Sequence, residues 1–148
     1  MKNKLLLLLI VFISCTEKNK KEDVESLLNQ YSNFIKSNKP DSISTLYASN
    51  GKLSGEGQLA IVSPDSIRNF LKGFSDFNVL EYKFTSDSIF FQKDSAFAIG
   101  SYFQKVVIPA GDTVELGGKY SVDFTRTATN QWLIGKMYTY DYRNLKTK

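Results

Sequence analysis

LGGKYSVDFTRTATNQWLIGKMYTYDYR, residues Leu116 to Arg143, is the stretch whose reading decides the fold. Lys119 to Thr127 and Gln131 to Tyr140 are rich in β-branched and aromatic residues and are joined by Ala128-Thr129-Asn130, which predicts a long antiparallel hairpin. A lone hairpin is marginal in water, so its partners must come from upstream. Working back, Ala96 to Ile108 reads as a strand closed by Pro109-Ala110-Gly111-Asp112. Before it, Leu80, Tyr82 and Phe84 alternate with Glu81, Lys83 and Thr85, and the strand runs from Asn78 through Ile89 to Phe91, with a turn at Lys93-Asp94-Ser95.

Upstream of Asn78 the apolar period changes from two to that of a helix. Ser63 as cap, Pro64 at the first helical position and Asp65 in the first turn start a helix whose buried face is Ile67, Phe70, Leu71 and Phe74. Gly55-Glu56-Gly57 reads as a loop and Lys52 to Ser54 as a brief strand. Asp41 is positioned to cap a short helix over Ser42 to Ala48, and Pro40 stops a first helix running from Glu22 to Ser37. In that first helix Val24, Leu27, Leu28, Tyr31, Phe34 and Ile35 make one apolar stripe. Helices come first and strands second, so the class is α+β with an antiparallel sheet.

The N-terminus carries an address. Met1-Lys2-Asn3-Lys4 is basic, Leu5 to Ile13 is an apolar run too short to span a bilayer, and Ser14-Cys15 follows with the only cysteine. Phe12-Ile13-Ser14-Cys15 resembles a bacterial lipobox, which implies cleavage before Cys15 and acylation of its sulfur, with Phe12 standing where an aliphatic residue is usual. The expected organisation is a signal peptide over residues 1–14, a lipid-attached tether over 15–21, one domain over 22–143 and a polar tail over 144–148. Such a chain would sit in the cell envelope with the membrane as its partner through Cys15. The formal net charge of +4 includes Lys2 and Lys4 of the leader, and no basic patch interleaved with aromatics stands out, so nucleic acid is not an expected partner. With the cysteine committed to lipid the domain has no disulfide, and at 42% hydrophobic and 14% aromatic it is held by its core.

A helix, a short helix ending in Leu46-Tyr47-Ala48, a third helix opening Ser63-Pro64, and long strands with Gly118-Lys119-Tyr120 and Trp132-Leu133-Ile134 resemble the nuclear transport factor 2-like superfamily, and its SnoaL-like branch in particular. The resemblance implies a strongly curved sheet wrapped around N-terminal helices, a cone-shaped α+β barrel with a pocket inside. It covers about residues 22 to 143 and fits isomerases, cyclases, dehydratases, binding modules and dimerising interaction modules alike.

Members that resemble ketosteroid isomerase carry a helix tyrosine, an acidic base after the second helix, and a protonated acid on a late strand. Carried onto this chain, the tyrosine falls on Tyr31, the base position on Gly55 with Glu56 beside it, and the third position on Val122 with Asp123 beside it. Two of the three groups are missing. The sequence has no histidine, which removes Ser-His and Cys-His nucleophiles and histidine metal sites. Gly55-Glu56-Gly57 and Gly117-Gly118 are too short to cradle phosphate and read as turn and bulge glycines. No cofactor or metal is called for.

The expected function is therefore lipid-anchored, non-catalytic binding of a small amphipathic molecule, or scaffolding. The alternatives are an isomerase-, cyclase- or dehydratase-type enzyme and a homodimerising module. Candidate pocket residues are Tyr31, Tyr47, Glu56, Tyr82, Tyr120, Trp132, Lys136 and Tyr138. The rings suit a ligand pocket or an ordinary core equally well. On strict alternation Lys136 shares the face of Trp132, Ile134 and Tyr138, unless a bulge turns it to solvent.

Overall fold

The computed structural model describes residues 3–145, with side chains from residue 20 onward. The side chains of residues 3–19, that of Cys15 among them, and residues 146–148 lie outside what is described. The elements are α1 (Asn3–Lys36), α2 (Pro40–Ser44), β1 (Tyr47–Gly55), β2 (Ile61–Val62), α3 (Pro64–Lys72), β3 (Asn78–Gln92), β4 (Ser95–Val107), β5 (Thr113–Arg126) and β6 (Trp132–Asn144). Among the described residues no helix is long and apolar enough to cross a membrane.

The six strands form one sheet in the order β2-β1-β6-β5-β4-β3. The β5–β6 hairpin is present: Arg126 pairs with Trp132, and Asn130 takes a left-handed φ of 65° in the turn. Every pairing is antiparallel except β1 against β6, which is parallel. β1 reaches β6 from the helix layer and not through a hairpin, so nothing forces it to reverse direction. Register shifts in β3 and β6 bend the long strands around α1. One bend needs glycine. A Cβ at Gly100 would press into the Thr85 carbonyl and the Tyr120 ring.

α1 buries Val24, Leu27, Leu28 and Tyr31 against Ala98, Tyr120, Val122, Phe124, Trp132, Ile134 and Met137 of the sheet. The helical backbone starts well before Glu22, through the aperiodic residues 16–21. α2 starts two residues earlier and ends four residues earlier than expected. Lys39 occupies its N-cap without a side-chain bond, and Asp41 lies inside the first turn facing Arg68 (3.6 Å) and Lys72 (3.4 Å). Tyr47 and Ala48 belong to β1 and not to the helix, because Leu46 accepts the Ile134 N–H (2.8 Å) and the chain is drawn into the sheet.

α3 starts as the sequence predicts, with the Ser63 hydroxyl accepting the Ser66 N–H. Of its expected buried face, Ile67 is fully enclosed and Leu71 packs against the core. Phe70 and Phe74 stay 40% and 45% exposed and pack edge to face on each other. Leu80 is likewise exposed at the start of β3, whereas Tyr82 and Phe84 pack inward.

Candidate functional site

Past Tyr31, α1 runs out and the sheet continues. The space this leaves is a cavity of about 740 Å³ under the far ends of the strands, walled by α1, α2, α3, β1 and β3 to β6. That volume falls in the range of small-molecule pockets. Alternation along β4 delivers Tyr102, Gln104 and Val106 to one wall. β6 reaches the cavity only through two irregularities. Ile134 pairs with Phe124 and Lys136 with Asp123, so Gly135 is an extra residue and the inward face passes to Met137 and Thr139. A second extra residue at Asp141, with φ of 52°, brings Tyr142 to the cavity.

Four tyrosines, Tyr31, Tyr82, Tyr102 and Tyr142, stand among the polar groups on these walls. Tyr31 packs against Tyr47 (ring centroids 6.3 Å), Tyr82 (6.2 Å) and Phe84 (5.8 Å), and Tyr82 stacks toward Tyr102 at 6.5 Å. Burial pushes the Tyr31 phenol up to about 12, an effect partly offset by the Tyr47 hydroxyl. Burial, then repulsion from neighbouring tyrosines, holds Tyr47 and Tyr82 well above the usual range. These hydroxyls stay neutral at physiological pH and can donate hydrogen bonds to a ligand oxygen.

Glu56 is the one carboxylate among the lining residues. It sits exposed at the mouth, where its Oε2 accepts the Asp141 N–H (2.9 Å) and its own N–H donates to Thr139 (2.8 Å). Asp141 is occupied by Arg143 at 2.8 Å.

Of the eight candidate residues, the cavity gathers Tyr31, Glu56 and Tyr82. Tyr47 is buried beside Tyr31, its hydroxyl 3.7 Å from the Met137 sulfur. Tyr120 is fully enclosed, bonded to Ser86 (2.8 Å) and packed on Phe84 (4.8 Å). Trp132 is buried at the opposite end, where it borders a separate hollow of about 260 Å³. Lys136 is exposed, because the Gly135 bulge turns it out; its ammonium lies 5.8 Å from the Tyr138 ring. Tyr138 follows it to the outer face and stacks on Tyr140 at 5.6 Å. Tyr102 and Gln104 were legible from β4 alternation and were missed as site residues. Met137, Thr139 and Tyr142 were hidden by the bulges.

The positions that the isomerase pattern requires are also resolved. Gly55 lines the cavity, and a Cβ there would meet Gln58 Oε1 (3.1 Å) and Thr139 Oγ1 (3.5 Å). Val122 is fully buried and Asp123 is exposed on the other face. Tyr31 lines the cavity.

No protein-family model matches the sequence, and no curated protein matches it. Solved structures do. The chain is similar to an NTF2-like protein with a cystatin-like fold from Novosphingobium aromaticivorans (TM-score 0.76, 12% identity, 93% of this chain and 90% of that one). It is also similar to a putative scytalone dehydratase from the same organism (TM-score 0.75, 15% identity, 91% and 93%). A third is a ketosteroid isomerase-like protein from Erwinia carotovora atroseptica (TM-score 0.72, 16% identity, 85% and 96%). At such identities the likeness concerns the backbone, and what it shows is that the chain has the nuclear transport factor 2-like fold.

Proposed function

We propose that this domain binds a small, mainly apolar molecule in the tyrosine-walled cavity without transforming it, and that lipid on Cys15 holds it in the cell envelope. The observation that carries the binding reading is a 740 Å³ cavity whose interior offers neutral hydroxyl and amide groups and, at the base position, a glycine. Apolar walls supply the driving force, and a few placed donors orient the ligand. Proton abstraction next to a carbonyl needs a general base within hydrogen-bond reach, and Gly55 supplies none.

Calorimetric titration with 2-(hydroxymethyl)naphthalene tests the binding. A saturable heat that Tyr31→Phe weakens supports it, and no heat across the titration rejects it. Trp132 lies outside the cavity, so its fluorescence is not the readout. Mass spectrometry of the N-terminal peptide tests the anchor: an acylated Cys15 at the mature N-terminus is expected, and an unmodified cysteine rejects it.

One observation favours a second reading. Glu56 neighbours Gly55 and lines the same cavity, so a shift of its loop would aim a carboxylate inward. Turnover of a steroid-like enone, abolished by Glu56→Gln, would establish acid-base catalysis in place of simple binding.

A further inference from the structure

The cavity carries many rings and few charges. Tyr31, Phe74, Phe77, Tyr82, Tyr102 and Tyr142 reach it from different parts of the chain, so aromatic surface is offered on several sides. Ring faces carry the negative side of the quadrupole and favour cations. The same walls carry two charged residues, Glu56 and Lys39.

Those two are not equivalent. Lys39 lies between α1 and α2, its backbone N–H donating to Phe34 (2.9 Å). Glu56 is held in place by the Asp141 N–H, and among the described residues no lysine or arginine lies within ion-pair distance of it. The nearby Arg143 is already engaged by Asp141. Gln58 Oε1 and Thr139 Oγ1 converge beside Gly55, next in the chain to Glu56, and both can accept hydrogen bonds. Tyr142, delivered by the Asp141 bulge, adds a ring at the same lip.

We infer that the ligand is an apolar molecule carrying an alkylammonium group, seated with the cation at the mouth by Glu56 and Tyr142 and with its body among the aromatic walls. This rests on the binding function proposed above and names the ligand class for that site. An ion deeper in the cavity would lose hydration with no counter-charge, so the ammonium belongs at the mouth and any polar atom farther in is neutral. A carboxylate at the mouth meets the same field with the opposite sign.

Calorimetry on the full chain at low salt, with three probes sharing one ring system, tests the inference. The probes are trimethyl(naphthalen-2-ylmethyl)ammonium, 2-(hydroxymethyl)naphthalene and 2-naphthoate. The ammonium should bind about five- to tenfold tighter than the alcohol, from one ion pair at a wet lip plus ring contacts, and the carboxylate should bind weakest. Glu56→Gln should cut the ammonium-to-alcohol ratio to about twofold, and Tyr142→Leu should lower it as well. Glutamine keeps an acceptor for the Asp141 N–H, so the loop stays clipped. Naphthoate binding tightest, or a ratio that neither variant changes, overturns the inference while binding itself stands. If neither the alcohol nor the ammonium binds, the proposed binding function falls, and the ligand class with it.

Discussion

Toward the β5–β6 turn the cone is solid, with Tyr120, Phe124 and Trp132 sealed beneath Val24, Leu27 and Leu28 of α1. Toward the other ends of the same strands, Tyr31, Tyr82 and Tyr102 face a cavity. Both halves are built from aromatic residues on alternating strands around one helix. What separates them is the length of α1. Its stripe covers the sheet in the solid half; after Lys36 the chain turns away at Pro40, and the strands run on beyond it. Aromatic content thus marks the inner face, and helix length decides whether that face is core or pocket.

The most direct way to break this comparison is to truncate a ring in the solid half. Trp132 is 4% exposed and packs on Phe91 at 6.1 Å. Trp132→Ala should cost roughly 3–5 kcal/mol, as large-to-small core changes do. Denaturant melts check it. A loss below about 1 kcal/mol would mean that this half is not packed as described.

The cavity half should show itself at alkaline pH. An unfolded tyrosine gives up its proton near pH 10, whereas buried Tyr31 keeps its own to about 12. Between those values the unfolded chain binds fewer protons than the folded one, so stability is complete below pH 10 and falls as pH rises toward 12. For Tyr31 the loss should reach roughly 2–3 kcal/mol at the upper end. Melts of the parent and of Tyr31→Phe across this window decide it. The variant should have the flatter slope, and equal slopes would mean that the Tyr31 hydroxyl is solvated.

Much of this architecture was legible in the sequence. Alternation in β3 and β4, the Asn130 turn and the Ser63-Pro64-Asp65 start are local signals, and local signals survive folding. Tyr47 was misread because Leu46-Tyr47-Ala48 continues a helical pattern, while its strand state is imposed by β6, about 90 residues away, through the parallel pairing with Ile134. Lys136 and Tyr138 share the inward face on strict alternation, and they lie outside through the bulge that the sequence leaves open. A bulge resets alternation, and the residue that makes it, Gly135, is equally at home in a regular strand. The site was less legible than the fold because its membership depends on those resets and on where α1 ends.

A smaller effect sharpens the contrast within the tyrosines themselves. Tyr120 bonds Ser86 in the solid half, in a part-buried contact at 2.8 Å. Tyr120→Phe should cost about 1 kcal/mol in the same melts. Ser86→Ala should cost a similar amount, and the double variant should cost clearly less than the two together. Full additivity would mean that the hydroxyls do not act as a pair.

The smallest change is expected at Tyr82, and it separates the halves most cleanly. Tyr82 packs on Phe84 at 5.3 Å and on Tyr31 at 6.2 Å through its ring, and phenylalanine keeps that ring. What Tyr82→Phe removes is a hydroxyl on a cavity wall. Removing a desolvated polar group on a cavity wall costs little, so stability should change by less than about 0.5 kcal/mol. The same hydroxyl is one of the few neutral donors available to a ligand oxygen inside the cavity. Affinity for 2-(hydroxymethyl)naphthalene should therefore fall by about three- to tenfold, the worth of one hydrogen bond. A stability loss matching that of Tyr120→Phe would mean that Tyr82 belongs to the packed core and that the cavity ends short of it. A change in affinity with stability intact would locate the ligand's polar atom beside β3, on the wall that faces Tyr31.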